Sequence, residues 1–378
     1  MIQRQVQISK LALDCGLGVV VINRWGVYSK EIAKREKISV IDNFQGIDYM
    51  YSSLIPYRST NFIVRNLAKL LGYIFEFFLI IYYVIFKNAK YIFCNTIDLR
   101  DLNYYSHLSK VLRVELIYDY VEFIDSIGVR NKENQVIVKP SFDDQIPNYT
   151  DKLIVISDYL RNKIIDSSSN LPMIKIPRII DFSYFDDVIP MKNENPYFLF
   201  CGSAAYLDII EFIIKSFIGS DAVTKNYNLI LVLSGSVNQI LKVNEVISRE
   251  KGLHKVKVLT QLSYIDLVSY YKSAYSLLIP ITENLQDKAR FPFKICEYSA
   301  SKRPIITSNS GPILEYFEDN VTAFIAETEN RSDFTNKINL AVNDVDLANL
   351  VGKNAYKLGL ENFSYKAYIK DFKKFISS

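Results

Sequence analysis

Tryptophan, histidine and cysteine are scarce in this chain, at one, two and four residues in 378. The two histidines, His107 and His254, have no cysteine or glutamate at ligand spacing, which excludes a zinc site built from His and Cys. The four cysteines, Cys15, Cys94, Cys201 and Cys296, lie far apart with no C-x-x-C pair, so they are expected as reduced thiols acting as small hydrophobes. A charge excess of one sign is also missing. Forty-five Lys and Arg oppose 41 Asp and Glu, for a net +4 with no basic block, and nucleic acid is not an expected partner. No internal repeat or low-complexity segment is present. The opening M-I-Q-R-Q-V-Q-I-S-K has neither the apolar core nor the small-residue cleavage site of a secretory leader. Together with the free thiols, this sets a cytoplasmic expectation.

What is there is a mixed globular chain, 49% hydrophobic and 23% charged, long enough for two domains with their own cores. Short apolar runs alternate with helical patterns through the second half. Tyr197–Cys201, Leu229–Leu233, Val256–Leu259, Tyr275–Ile281, Pro304–Ser308 and Thr322–Ala326 read as strands. Ile209–Phe217 and a segment capped by Ser263 read as helices. Continuous apolar strands separated by helices predict a parallel, doubly wound sheet, and such sheets bind ligands beyond the carboxyl ends of their strands. Gly202 and Ser203, Gln261, the loop before Pro292 and the turn Ser308–Gly311 all fall at those ends. In the first half, Gly18–Ile22, Ile38–Ile41, Tyr91–Cys94, Val114–Tyr118 and Lys152–Ile156 read as strands. A helix is expected over Val6–Leu13, and Ser157 suits a helix N-cap. Leu70–Phe86 is a nearly unbroken apolar run interrupted by Glu76. It is short for a span, which needs about 20 residues, and a mid-run charge is costly there. Two readings stay open for it: a helix of the first domain with an aromatic face lying on a membrane, or a fully buried core helix.

The densest chemical signal is R-F-P-F-K-I-C-E-Y from Arg290 to Tyr298. Pro292 suits a helix start, whose free N–H groups form an anion site. Arg290 and Lys294 add positive charge beside it. Glu297 sits too deep in the helix to serve as a cap. Asp119 and Glu122, in L-I-Y-D-Y-V-E-F, follow a first-domain strand and suit either solvated carboxylates or an acceptor role for Asp119. Asp344-Val345-Asp346 spells the D-x-D of metal-dependent transferases, but it lies in a helical region away from any strand end, so chance explains it best. His107 is expected as an ordinary helix residue.

The Arg290–Tyr298 stretch resembles the donor-site signature of GT-B glycosyltransferases, in particular the retaining glycosyltransferase family four, in the variant R-x-P-x-K-x-x-E-Y. The resemblance implies an α/β GT-B fold of two Rossmann-like doubly wound domains facing across a cleft. It implies an acceptor-side domain over 1–185, a nucleotide-sugar domain over 186–358 and a final helix over 359–378 crossing back to the first domain. The strand–S-x-x-L–I-P-x-x-I-D sequence that ends at Asp181 resembles the close of the family's first domain. Glu297 would bind ribose hydroxyls. The Pro292–Phe293 helix start, Lys294 and Arg290 would face the diphosphate, with Gly202, Ser203, Gln261, Ser310 and Gly311 completing the donor site. Ser203 stands where the family has an arginine, Asp208 near its lysine, Val121 at its histidine and Ala289 at its first glutamate. Relatives begin with a strand ahead of the Val6–Leu13 helix. Either the amino terminus is shortened here or the first sheet lacks one strand.

The implied reaction is hexosyl transfer with retention, without metal or cofactor, from a nucleotide-diphosphate sugar to a hydroxyl of a lipid-linked or other glycan. The implied setting is bacterial surface polysaccharide synthesis at the inner face of the plasma membrane; abundant Lys, Asn, Ile and Tyr suit an AT-rich bacterial genome. Two other readings are an impaired GT-B homologue partnering an active transferase and a GT-B epimerase or phosphorylase.

Overall fold

The computed structural model describes residues 3–124, 142–167, 170–249, 253–283, 287, 289 and 291–378. The first domain's strands fall into two sheets. Strands β1 (Val20–Asn23), β2 (Ile41–Phe44) and β3 (Ile47–Tyr51) form a three-stranded sheet in the order β1-β3-β2. Strands β4 (Tyr91–Cys94), β5 (Glu115–Tyr120), β6 (Lys152–Val155) and β7 (Met173–Lys175) form a parallel sheet in their sequence order. The strand expected over Ile38–Ile41 instead starts at Ile41 and runs through the polar Asp42 and Asn43. It pairs antiparallel with β3. Gln45 and Gly46 turn this hairpin with φ of 52° and 85°, both in the left-handed region that two-residue hairpin turns favour. All four residues of β2 are exposed, so no apolar pattern marked it.

Among the described residues no strand joins β1 to β4. A cavity of about 310 Å³ lies there instead, lined by Val20 and Ile22 of β1, Tyr91 and Phe93 of β4, and the charged pair Arg24 and Glu76. The expected single first-domain sheet is split at this point.

The second domain carries strands β8 (Tyr197–Ser203), β9 (Asn228–Ser234), β10 (Val256–Leu259), β11 (Ser276–Ile279), β12 (Ile305–Ser308) and β13 (Phe324–Ala326). All pair parallel, in the order β10-β9-β8-β11-β12-β13. Chain direction across the sheet reverses between β8 and β11, the switch point at which doubly wound sheets open a ligand crevice. Helices cover both faces, so the centres of the inner strands are apolar, as in Phe198, Leu199, Leu277 and Leu278, all fully buried. Ser263 caps its helix by accepting from the Asp266 amide at 3.2 Å.

One apolar core runs through both domains, joining Tyr118, Tyr120 and Leu153 to Tyr197, Leu277 and Phe291. The closing helix Ile369–Ser377 lays Phe372, Phe375 and Ile376 on Ile8 and Leu11 of the first helix and on Ile117 and Ile154 of the first domain.

The apolar run becomes the 26-residue helix Phe62–Lys87, capped by the Asn61 side chain and ended by Asn88 at φ 55°. Only Ala68, Gly72, Glu76 and Ile80 are buried, a single stripe at i+4 spacing. Glu76 is held by Arg24, whose Nε donates to its Oε2 at 2.7 Å, and by the Tyr105 hydroxyl at 2.7 Å. Arg24 also donates to Asp101. Burial raises the Glu76 carboxyl above its ordinary range, and Arg24 works against that rise. Gly72 lets the helix approach the chain: a Cβ there would sit 2.5 Å from the Arg24 carbonyl oxygen. Gly72→Val is therefore expected to overpack this contact, costing about 1–3 kcal/mol and lowering the melting temperature in a thermal scan.

Candidate functional site

Strands β8, β9 and β10 deliver three turns to one edge of the second sheet. At Gly202 a Cβ would fall 2.5 Å from the Phe200 ring, so any larger residue would have to push that ring aside, and the close turn that follows is tied by Ala204 N donating to Ser234 O at 2.8 Å. Gln261 adopts φ 58°, a left-handed turn that ends β10 abruptly. Together with Cys201, Ser203, Gly235 and Lys294, these turns line a cavity of about 730 Å³, of the size that small-molecule sites use. Asp208 sits in the first turn of the helix Leu207–Ile218, where a carboxylate suits the positive end of the helix dipole.

The helix Phe293–Ala300 starts after Pro292, which serves as its N-cap without a side-chain bond. Glu297 is fully buried. Its Oε1 accepts from the Tyr264 hydroxyl at 2.9 Å, and its Oε2 accepts from Lys294 Nζ at 3.0 Å and from Tyr271 at 3.4 Å. Burial opposes the charge on Lys294, but Glu297 outweighs it and the lysine is held above its ordinary range. Glu297 thus fixes Lys294 at the cavity wall while Tyr264 closes over the acid. Tyr264 in turn stacks on Tyr184, with ring centroids 5.3 Å apart. Sequence reasoning missed Tyr264 and Tyr271; their i,i+7 spacing on one helix face was the available signal.

At the end of β12, Ser310 leads into the short turn of helix Gly311–Leu314. The Ser310 hydroxyl is enclosed with no hydrogen-bond partner among the described residues, an arrangement found where a ligand supplies the missing bond. Arg290 lies outside the described residues, as does Lys288.

Asp119 is placed differently from a solvent-facing base. It is buried and gripped through both carboxylate oxygens by Arg4, at 2.8–3.1 Å. Arg4 also donates to the Pro177 and Ile176 carbonyls, so this pair knots the first helix, β5 and the end of β7. Asp344 caps the following helix by accepting from Leu347 N, and His107 is an exposed helix residue. Among the described residues, no three His, Cys, Asp or Glu are grouped to hold a metal.

The two domains meet beside this site. Ser157, at the start of its helix, donates to the Ala289 carbonyl at 2.6 Å, and the Cys296 thiol donates to the Arg178 carbonyl at 3.0 Å.

Residues 184–358 match the family model of glycosyl transferases group 1. An uncharacterized glycosyltransferase of Methanocaldococcus jannaschii is 20% identical over 225 residues, spanning 60% of this chain and 59% of the relative. Sucrose-phosphate synthase from Thermosynechococcus elongatus superposes with a TM-score of 0.70 at 13% identity, over 98% of this chain and 91% of that one. A glycosyltransferase from Rickettsia africae gives 0.70 at 15% identity, over 100% and 96%. HepE of Anabaena, solved with UDP-glucose, gives 0.67 at 14% identity, over 98% and 95%.

Proposed function

With a GT-B fold and a second domain that is a glycosyl transferases group 1 domain, we propose that this chain is a glycosyltransferase. It takes a sugar from a nucleotide-diphosphate donor seated at the carboxyl edge of β8, β9 and β10. The observation that carries this reading is the cavity itself. It opens at the carboxyl ends of β8, β9 and β10, on one side of the sheet's switch point, is lined by Gly202, Ser203, Gln261 and Lys294, and lies beside the Phe293 helix start, where free N–H groups attract a diphosphate. The binding of UDP-glucose by HepE, a fold relative, supports a sugar nucleotide as the occupant. Glu297 acts through Lys294.

The finer reading is retaining transfer of a hexosyl group, without a metal or cofactor, to a hydroxyl of a lipid-linked glycan during bacterial surface polysaccharide synthesis. The protein would work in the cytoplasm at the inner face of the plasma membrane, held there by the Phe62–Lys87 helix. That helix is long and apolar enough to cross a membrane, yet only 17% of its most apolar stretch is buried. One observation favours a second reading, an impaired homologue that partners an active transferase: Ser203 and Asp208 bring no positive charge to the β8 turn.

Calorimetry with UDP-, GDP- and ADP-sugars decides between them. One donor class is expected to bind, and Lys294→Met is expected to weaken it about tenfold, the worth of one charge-assisted hydrogen bond. Failure of all three donors to bind would sink the transferase reading in favour of the partner role.

A further inference from the structure

Arg178 follows β7 at the carboxyl edge of the first-domain sheet, in Ile176-Pro177-Arg178-Ile179, where the two domains close on each other. Its backbone is pinned from both sides. The carbonyls of Ile176 and Pro177 accept from Arg4, and its own carbonyl accepts from the Cys296 thiol of the second-domain helix. The side chain is another matter. Nε is enclosed with no hydrogen-bond partner, and no ion pair to Arg178 forms among the described residues. Arg4, the neighbouring cation, spends its guanidinium on Asp119. Burial, then repulsion from Arg4, pushes the Arg178 pKa down to about 10, with Asp119 and Glu122 offsetting part of the fall. The side chain is half-buried, and an enclosed guanidinium nitrogen ordinarily has a bonded acceptor, because leaving a buried polar group unpaired is costly.

We propose that Arg178 is an oxyanion-binding residue of the interdomain cleft, taking a phosphate group as its missing partner. The arginine fork matches phosphate oxygens in a way that no other side chain does. Arg178 also brings a cation to the cleft, where Ser203 and Asp208 leave the β8 turn without one. The phosphate has two sources, the diphosphate of a sugar nucleotide or the phosphate of a lipid-linked acceptor. The first rests on the donor-site reading above; the second does not.

The test titrates wild type, Arg178→Met and Arg178→Lys with inorganic pyrophosphate, UDP, GDP, ADP, farnesyl diphosphate and uridine, and melts each protein without ligand. At least one diphosphate is expected to bind Arg178→Met 10- to 100-fold more weakly than wild type, with Arg178→Lys between them and uridine affinity unchanged. A nucleotide-selective loss assigns the donor diphosphate, and a loss confined to farnesyl diphosphate assigns the acceptor. The ligand-free melting temperature of Arg178→Met is expected to equal or exceed that of wild type, because the substitution removes an uncompensated charge. A structural arginine would behave in the opposite way. Equal diphosphate affinity in wild type and Arg178→Met overturns the proposal while leaving the donor site standing. So does a lower ligand-free melting temperature without a change in affinity. Loss of pyrophosphate or farnesyl diphosphate binding in Arg178→Met, with no nucleotide bound by wild type, keeps the oxyanion residue and rejects the donor reading. Wild type that binds none of the diphosphates overturns both.

Discussion

Glu297→Ala is expected to lower stability by about 3 kcal/mol and to weaken donor binding at least as much as the roughly tenfold expected of Lys294→Met. The acid is fully buried, and Lys294 is 30% exposed through its side chain. Breaking a buried pair by removing one partner costs about 3–5 kcal/mol, and the partial exposure of Lys294 argues for the lower end. Two tyrosine hydroxyls, those of Tyr264 and Tyr271, also lose their acceptor. For a domain of this size the expected drop in melting temperature is about 6–12 °C. A destabilised variant that also fails to bind proves little about function, so the informative comparison is Glu297→Gln combined with Lys294→Met. That pair removes both charges, keeps an acceptor for Tyr264 and is expected to melt close to wild type. Donor binding should stay about tenfold weaker, as in Lys294→Met alone, and transfer about 100-fold slower, as when one charge-stabilising donor is removed from an active site. Recovery of both stability and transfer in the double variant would show that the buried pair is architecture alone.

The second domain was legible because its physics is local. Most strands are buried apolar runs, several turns carry a glycine, a serine or a positive-φ residue, and the order of runs points to a doubly wound sheet. Ser263 and Pro292 announced their helices through capping chemistry alone. The first domain was less legible, and the reasons are specific. The β2–β3 hairpin has an exposed strand of Ile41, Asp42, Asn43 and Phe44, with no alternation to detect. The split between β1 and β4 depends on which edges meet, a property that strand runs do not encode. The bland reading of Asp119 as a solvated loop carboxylate and the sharp one as an acceptor group both missed Arg4, because 115 residues separate the partners. The same holds for the site. Lys294 and Glu297 are an i,i+3 pair visible in the sequence, whereas the closure of Tyr264 over the acid and the lack of a partner for Arg178 Nε among the described residues arise from packing between distant segments.

Vesicles rich in anionic lipid are expected to capture this protein, and Phe78→Glu with Phe86→Glu is expected to release it. The helix Phe62–Lys87 inverts the usual surface pattern. Its inward stripe is Ala68, Gly72, Glu76 and Ile80, small and partly charged, while Phe78 and Phe86 are 60% and 72% exposed. A helix apolar on nearly every side belongs against lipid or protein rather than water. Glu76 argues for lying on the bilayer over crossing it. Its carboxylate is bonded to Arg24 and Tyr105 of the first domain, and a spanning pose would strip both partners away. Arg58, Arg65 and Lys69 near one end, with Lys87 and Lys90 at the other, supply the positive flanks that anionic headgroups favour. Each buried phenylalanine contributes about 1.5–3 kcal/mol, so the double substitution should weaken partitioning at least about 100-fold. Its effect on soluble-donor binding should be nil, since neither residue lies near the second domain's cavity. Co-sedimentation with vesicles of graded anionic content reads the first effect and calorimetry reads the second. Unchanged co-sedimentation in the double variant would assign the exposed face to another protein or to a second copy of this chain, which sedimentation velocity of the wild type then distinguishes.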